Sequence, residues 1–220
     1  MKMKKLIIVG GGYTADELYS LVNNVSTKVS YKIVAILDDN KKFFKKNYKG
    51  IPIHIGLENA KKFKDCEFVF GIGSYKNKNS REKIFKKMQL DKSRFPNIID
   101  RTVVLESNVK LGFGNIIYPN SVICSGTKIS DFCILTYSTI IAHSVKLGSF
   151  SLIGSRTSIL NSTNIGKEVF FGANVLVGEN LKIGDFSKIL LGSVVLNNVS
   201  KKSTVFGNPA KVIKYAQTRN

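Results

Sequence analysis

From Ile99 to Val195 every sixth residue is aliphatic, with Phe171 the single aromatic exception. The stops run Leu105, Leu111, Ile117, Ile123 and on through Ile183 and Ile189 without a break. Two residues before many of them stands something small: Ser121, Thr127, Cys133, Thr139, Ser151, Thr157 and Thr163. One residue after many stands glycine, as at Gly112, Gly148, Gly154, Gly166, Gly172, Gly178 and Gly184. Helices repeat their apolar stripe every ~3.6 residues and half-buried strands about every second residue, so neither produces a uniform six. A β-helix of stacked hexapeptides does. Each short flat face points one aliphatic side chain into the core, and small residues fit the corners. Three hexapeptides close one triangular coil, so the array predicts roughly five coils.

The first hundred residues follow a different grammar. "KKLIIVG" is a short apolar run ending in Gly10, Gly11 and Gly12, and "TADELYSLVNNV" after it has a helical pattern. "KIVAILDD" reads as a second buried strand closed by Asp38 and Asp39. "IPIHIG" and "EFVFGIGS" read as strands, "LENAKKFK" and "KNSREKIFKKMQ" as helices. Strands alternating with helices predict a small parallel sheet with covering helices. The expected fold class is therefore an α/β N-terminal Rossmann-like domain, residues 1–97, followed by an all-β helix domain, residues 98–220.

Composition narrows the classes of function. The chain has 220 residues, 43% of them hydrophobic and 22% charged, ordinary values for a globular protein with a real core. No apolar run approaches the roughly 20 residues of a membrane helix, and the apolar stretch after "MKMKK" is too short for a signal peptide. Three cysteines (Cys66, Cys124 and Cys133) without a CxxC pair indicate neither a disulfide framework nor a zinc site. The carboxylates show no sequence clustering with His54 or His143, so no metal is expected. A cytoplasmic protein with no membrane partner is the reading. The formal net charge of +19 invites nucleic acid. Yet the lysines are spread through the chain with no aromatic-interleaved RNA-binding motif, so no nucleic-acid partner is expected.

Taken together, the "VGGG" turn, "ILDD", "FGIGSYKNKNSREKI", the repeat array and the tail "VFGNPAKVIK" resemble the left-handed β-helix acyltransferases with hexapeptide repeats. Within them the chain is similar to bacterial nucleotide-sugar N-acetyltransferases and sialic acid O-acetyltransferase-like proteins. That resemblance implies a left-handed helix that binds acetyl-CoA as co-substrate and an N-terminal domain that binds a nucleotide-sugar acceptor. It implies a homotrimer with active sites between neighbouring β-helices, and direct attack of an amine or hydroxyl on the thioester.

The resemblance also assigns roles. His143, two residues after the inward Ile141, stands where the family has its general base, and a neutral imidazole suits that task near neutral pH. Many members follow it with an acidic residue; here Ser144 follows, able to orient an imidazole but not to balance an imidazolium. Either the base is weaker than in those members, another carboxylate reaches it, or a backbone carbonyl holds the ring. A second family histidine is replaced by Leu152. One 18-residue coil beyond His143 lies Asn161, whose N–H is the candidate oxyanion donor. Ala173 and Leu191 fall where the pantetheine arm runs, and Gly192 and Lys211 are candidates for the CoA tail and its phosphates.

On the acceptor side, the turn at Gly12, Tyr13 and Thr14 offers N–H groups to a diphosphate, although it lacks the G-x-G-x-x-G spacing. Asp38 and Asp39 end a strand where a carboxylate can accept from a ribose or base. Gly73 and Ser74 end another strand at the same sheet edge, and Arg81 is a phosphate candidate. His54 reads as a partly buried strand residue with no role. The expected function is N-acetylation of a nucleotide-linked amino-deoxysugar for surface glycan synthesis. O-acetylation of a sialic acid-like or other glycan hydroxyl and a non-catalytic β-helix scaffold are the alternatives.

Overall fold

The computed structural model describes residues 3–23, 29–40, 47–73 and 80–215. Two compact units divide the chain, Met1–Arg101 and Thr102–Asn220.

In the first unit, β1 (Lys4–Val9) and β2 (Tyr31–Asp38) are parallel neighbours joined through α1 (Tyr13–Asn23). Leu6, Ile7, Ile8 and Val9 are fully buried, which explains why β1 reads as an unbroken apolar run rather than an alternation. α1 buries Ala15, Leu18, Leu21 and Val22, a helical spacing, and carries Asp16 in its first turn, where the helix dipole favours a negative charge. Two short strands, β3 (Asn47–Tyr48) and β4 (Ile51–Ile55), follow; then β5 (Glu67–Phe70) and α2 (Ser80–Met88).

The sheet order is β3-β4-β2-β1-β5. It departs from the all-parallel expectation at one edge, where β3 and β4 form an antiparallel hairpin. Lys49 and Gly50 make that turn with φ of 49° and 80°, the left-handed pair that matches strand twist in a two-residue hairpin. "LENAKKFK" forms a short helix, of the 3-10 kind, over Leu57–Lys62.

The second unit is a parallel β-solenoid. Strands of two residues pair with strands 18 residues away, as Val122–Ile123 does with Ile140–Ile141. Three faces result. The first presents Val104, Val122, Ile140, Ser158, Leu176 and Val194 outward; the second Lys110, Lys128, Lys146, Asn164 and Lys182; the third includes the pairs that begin at Ile116, Ile134, Leu152 and Phe170, of which Ile116 and Ile134 are buried. The inward member of each pair is the residue on the sixfold stop, and Ile123, Ile141, Ile153, Ile159 and Val177 are wholly buried. The third face ends in an antiparallel hairpin of Ser203–Gly207 with Ala210–Tyr215.

The small residues before the stops do more than fit. Thr127 Oγ1 donates to Ala142 O at 2.7 Å and accepts from Val145 N–H at 3.2 Å, tying one coil to the next. Thr157 does the same with Gly172 O (3.0 Å) and Val175 N–H (3.4 Å). Buried backbone groups need such partners in a dry core. At the corners, one residue in six takes a left-handed conformation: Phe132, Ser138, Ser144, Phe150, Arg156 and Ser162 have φ between 57° and 62°. Stacking holds even phenylalanine there, where an isolated chain would resist it.

Candidate active site

The corner that follows the first face stacks Ser107, Ser125, His143, Asn161 and Glu179, one per coil. His143 is fixed at its backbone from the coil above. Its N–H donates to Asn161 Oδ1 at 3.1 Å, and its carbonyl accepts from Ser162 N–H at 2.9 Å. Asn161 is anchored in turn, its Nδ2 donating to Glu179 Oε1 at 2.9 Å. The His143 side chain is 58% exposed. Solvent or a substrate can therefore reach the ring while its backbone stays fixed.

Glu106 lies beside the histidine from two coils earlier. Its Oε2 accepts from Ser125 N–H at 2.8 Å and stands 3.9 Å from His143 Nδ1. The absence of any carboxylate grouped with a histidine, expected from the sequence, is thus overturned. The reason is geometric: residues far apart along the chain become neighbours when coils stack. Cys124 sits directly above Glu106 in the next coil, and its thiol is pushed up from the usual range by burial, then by the Glu106 charge and hydrogen bond. The donor atoms of Glu106, Cys124 and His143 all lie within 4.8 Å of one another. Sequence reasoning missed Glu106 and Cys124, although laying out the 18-residue coils in columns would have found both.

Ser144, next to the histidine, is one of the left-handed corner residues, with φ of 58°, and its N–H donates to Ser125 O at 3.1 Å. Among the described hydrogen bonds none uses the Asn161 N–H. The remaining β-helix candidates stand elsewhere. Leu152 points outward on the third face. Ala173 and Leu191 share the corner at the opposite edge of the first face, linked by Gly192 N–H donating to Ala173 O at 2.9 Å. Leu191 and Gly192 are exposed there, and Lys211 is exposed in the terminal hairpin. Within one chain, then, the His143 and Ala173 groups flank a single face.

In the first unit, the carboxyl ends of β1, β2 and β5 form one edge, and the chain passes to opposite sides of β1 there, the usual place for a ligand crevice. Gly10, at φ of 102°, and Gly71 pack so closely that a Cβ on Gly10 would fall 2.5 Å from the Ile72 side chain. Asp38 pins the glycine turn: its Oδ2 accepts from Gly11 N–H at 2.6 Å and its Oδ1 from Asn40 N–H at 2.7 Å. Asp39 accepts from Leu57 N–H at 3.0 Å and pairs with Lys87 at 2.7 Å. Beyond this turn, Gly12 and Tyr13 are exposed and Thr14 is partly so, at the start of α1. Gly73 ends the described part of the neighbouring loop; Ser74 lies outside the described residues. Arg81 is buried, with Nη1 3.4 Å from Ile72 O. His54 is exposed on β4, edge-on to Phe63, instead of partly buried.

Residues 5–88 match the family model described as the PglD N-terminal domain. No curated protein matches the chain by sequence. Among solved structures, a histidine-to-asparagine mutant of perosamine N-acetyltransferase from Caulobacter crescentus, in complex with CoA and GDP-perosamine, has a TM-score of 0.83 at 20% identity, covering 97% of this chain and 98% of that one. The acetyltransferase domain of PglB from Neisseria gonorrhoeae, in complex with acetyl coenzyme A, gives 0.81 at 20% identity, over 96% and 100%. WeeI from Acinetobacter baumannii gives 0.82 at 21%, over 96% and 100%. Among the described residues no helix is long and apolar enough to cross a membrane. The chain is a PglD-like N-terminal domain followed by a parallel β-solenoid, and it shares its fold with nucleotide-sugar N-acetyltransferases.

Proposed function

We propose that the protein is an acetyl-CoA-dependent N-acetyltransferase acting on a nucleotide-linked amino-deoxysugar, with His143 as general base. The observation that carries this reading is the His143 corner: an exposed imidazole on a fixed backbone, a carboxylate at Nδ1, and an N–H donor one coil above. The neutral sugar amine attacks the thioester carbonyl, the C–N bond forms and the C–S bond breaks. His143 takes the proton that the nitrogen sheds and passes it to the departing thiolate. Such proton transfer contributes about 10²–10⁴ in rate, and a positioned donor such as the Asn161 N–H about 10²–10³.

Glu106 stands beside the ring and offsets its charge while it carries the proton, the task that Ser144 cannot perform. Leu191 and Ala173 offer an exposed corner to the pantetheine arm, and Lys211 an exposed cation to a CoA phosphate. The Ala173–Leu191 corner and His143 flank opposite edges of a face whose outward residues Val104 (51% exposed), Ile140 (44%) and Leu176 (40%) are apolar. Packing that face against other copies in a homotrimer would cover it and bring the two edges from different chains into one site. In the first unit, the pinned glycine turn presents Gly12, Tyr13 and Thr14 to the acceptor's nucleotide. The reaction belongs in the cytoplasm, where both substrates are made.

The test is a thiol-release assay with acetyl-CoA against UDP-, dTDP- and GDP-linked amino-deoxysugars, using wild type and His143→Ala. Turnover on one acceptor, cut by about a hundredfold or more in the variant, is expected. Turnover that survives the substitution removes His143 from the role of base. Transfer to hydroxyl acceptors alone replaces N- by O-acetylation.

A further inference from the structure

The proposed reaction uses His143 and Glu106 but gives Cys124 nothing to do. Cys124 nonetheless completes a set of three chemically different metal ligands: a carboxylate, a thiol and an imidazole, one from each of three successive coils. The β-helix ladder fixes their backbones. Glu106 is further held by Ser125 N–H, and His143 by Asn161. Tetrahedral zinc, with bonds of about 2.0–2.3 Å, needs its ligand atoms about 3.3–3.8 Å apart. Nδ1 and Oε2 already stand 3.9 Å apart, and the three donor atoms span no more than 4.8 Å. Small side-chain rotations close that gap. With Glu106 39% and His143 58% exposed, an ion has a path from solvent.

We propose that Glu106, Cys124 and His143 form a binding site for a thiophilic divalent cation of the zinc class, and that the bound ion switches off the general base. Soft thiolate with imidazole and one carboxylate selects zinc over magnesium or calcium, which prefer all-oxygen sets. Three protein ligands leave a fourth position for water. On binding, the sulfur–metal bond forms and the thiol proton leaves to solvent.

The inhibition follows from the imidazole's electron count. A neutral histidine has a single ring lone pair to offer; its other nitrogen carries hydrogen. Zinc on Nδ1 takes that pair and leaves Nε2 as an N–H donor, unable to accept a proton. The metal and the substrate proton therefore compete for the same electrons. The inhibitory half of the proposal rests on His143 being the base; the coordination half does not.

Two readouts separate them. The apo protein is titrated with Co²⁺ alone, recording the near-ultraviolet thiolate-to-cobalt band and the visible bands of tetrahedral cobalt, and Zn²⁺ is then added in competition. One equivalent of cobalt should give both signals, zinc should remove them, and Cys124→Ser should abolish the thiolate band. Absence of a thiolate band in wild type, or its survival in Cys124→Ser, overturns the site. In the acetyl-transfer assay, zinc at about ten times its Kd should cut wild-type turnover about tenfold by simple occupancy. Cys124→Ser should retain basal turnover and lose that sensitivity. Cobalt binding through Cys124 without zinc inhibition overturns the switch, and cobalt binding with no acetyl transfer on any acceptor leaves the site standing while removing the enzymatic reading.

Discussion

His143 Nδ1 and Glu106 Oε2 stand 3.9 Å apart although two coils of chain lie between them. The separation is too long for a hydrogen bond and suits an ion pair that forms as the imidazole takes up a proton. Glu106→Gln keeps the shape and removes the charge. It should lower kcat by about tenfold to a hundredfold, part of what the base itself contributes, and leave the KM for acetyl-CoA unchanged. Adding Ser144→Asp in that background should recover part of the loss, since aspartate tolerates the left-handed backbone at this corner. Steady-state kinetics of wild type and the two variants decide it; an unaltered kcat in Glu106→Gln would remove the carboxylate from catalysis.

Burial, and secondarily the Glu106 carboxylate, push the Cys124 thiol above its ordinary value. At neutral pH the group is held as thiol, the unreactive form. Alkylation should be slow near pH 7.5, rise only at distinctly alkaline pH, and accelerate in Glu106→Gln, which takes away the nearby negative charge. Mass spectrometry of iodoacetamide-treated protein measures this, with the buried Cys66 and Cys133 as slow internal references. Equal rates in wild type and variant would contradict the contact.

Thr157 should behave as a structural bolt. Thr157→Val preserves shape but strands Val175 N–H and Gly172 O in the dry interior, which costs about 1–3 kcal/mol. Thr157→Ser keeps both hydrogen bonds and should cost less. Denaturant unfolding of the two variants compares them directly, and equal losses would mean that volume, not hydroxyl chemistry, governs these positions.

Gly154 has no room for a side chain. A Cβ there would lie 2.5 Å from the backbone carbon of Gly172 in the next coil, and backbone cannot swing aside as a side-chain tip can. Gly154→Ala should destabilise by about 1–3 kcal/mol or more. Gly12→Ala, whose Cβ would meet nothing within 4 Å, is the matched control and should unfold like wild type. A shared loss would refute the steric account.

The Asp39–Lys87 pair carries a signed pH dependence. Desolvation opposes ionisation of Asp39, but the Lys87 hydrogen bond, the Leu57 N–H and the Lys87 charge outweigh it and hold the carboxyl below its ordinary value. Lys87 is raised by the same partner. The carboxylate's share is present above its unfolded pKa of about 3.9 and is lost as pH falls through the folded value. The lysine's share is present below about 10.4 and disappears as pH rises beyond the folded value. Thermal unfolding of wild type and Asp39→Asn should therefore differ slightly between about pH 4 and 10 and converge in acid. A gap that persists in acid would show that the difference is not electrostatic.

How much of this could be read from the residues depends on the range of the interaction. The solenoid was legible because each coil repeats the same local demand, an inward aliphatic residue and a tight corner. The antiparallel β3–β4 edge was not, because the Lys49–Gly50 turn is set by two dihedral angles and Gly50 alone is weak evidence. His143 and Asn161 could be paired by adding one coil. Glu106 escaped because nothing local marks an exposed glutamate, and its meaning arises from a column two coils deep. Asp38 is legible as a strand-end carboxylate facing an acceptor, but its second task, securing the glycine turn through Gly11 and Asn40, is set by the fold and has no local signal.

The coil length makes the solenoid a measuring rod. Adding or removing a whole 18-residue coil beyond Glu179 would leave the spacing from Glu106 to His143 intact. The same change between Ser107 and His143 would preserve every core position and every corner, yet carry the carboxylate one rung, about 4.8 Å, away from the imidazole or towards it. A chain so altered would be a well-formed β-helix with its acid and its base out of step, so the interval between those two coils is under a constraint that stability alone does not impose.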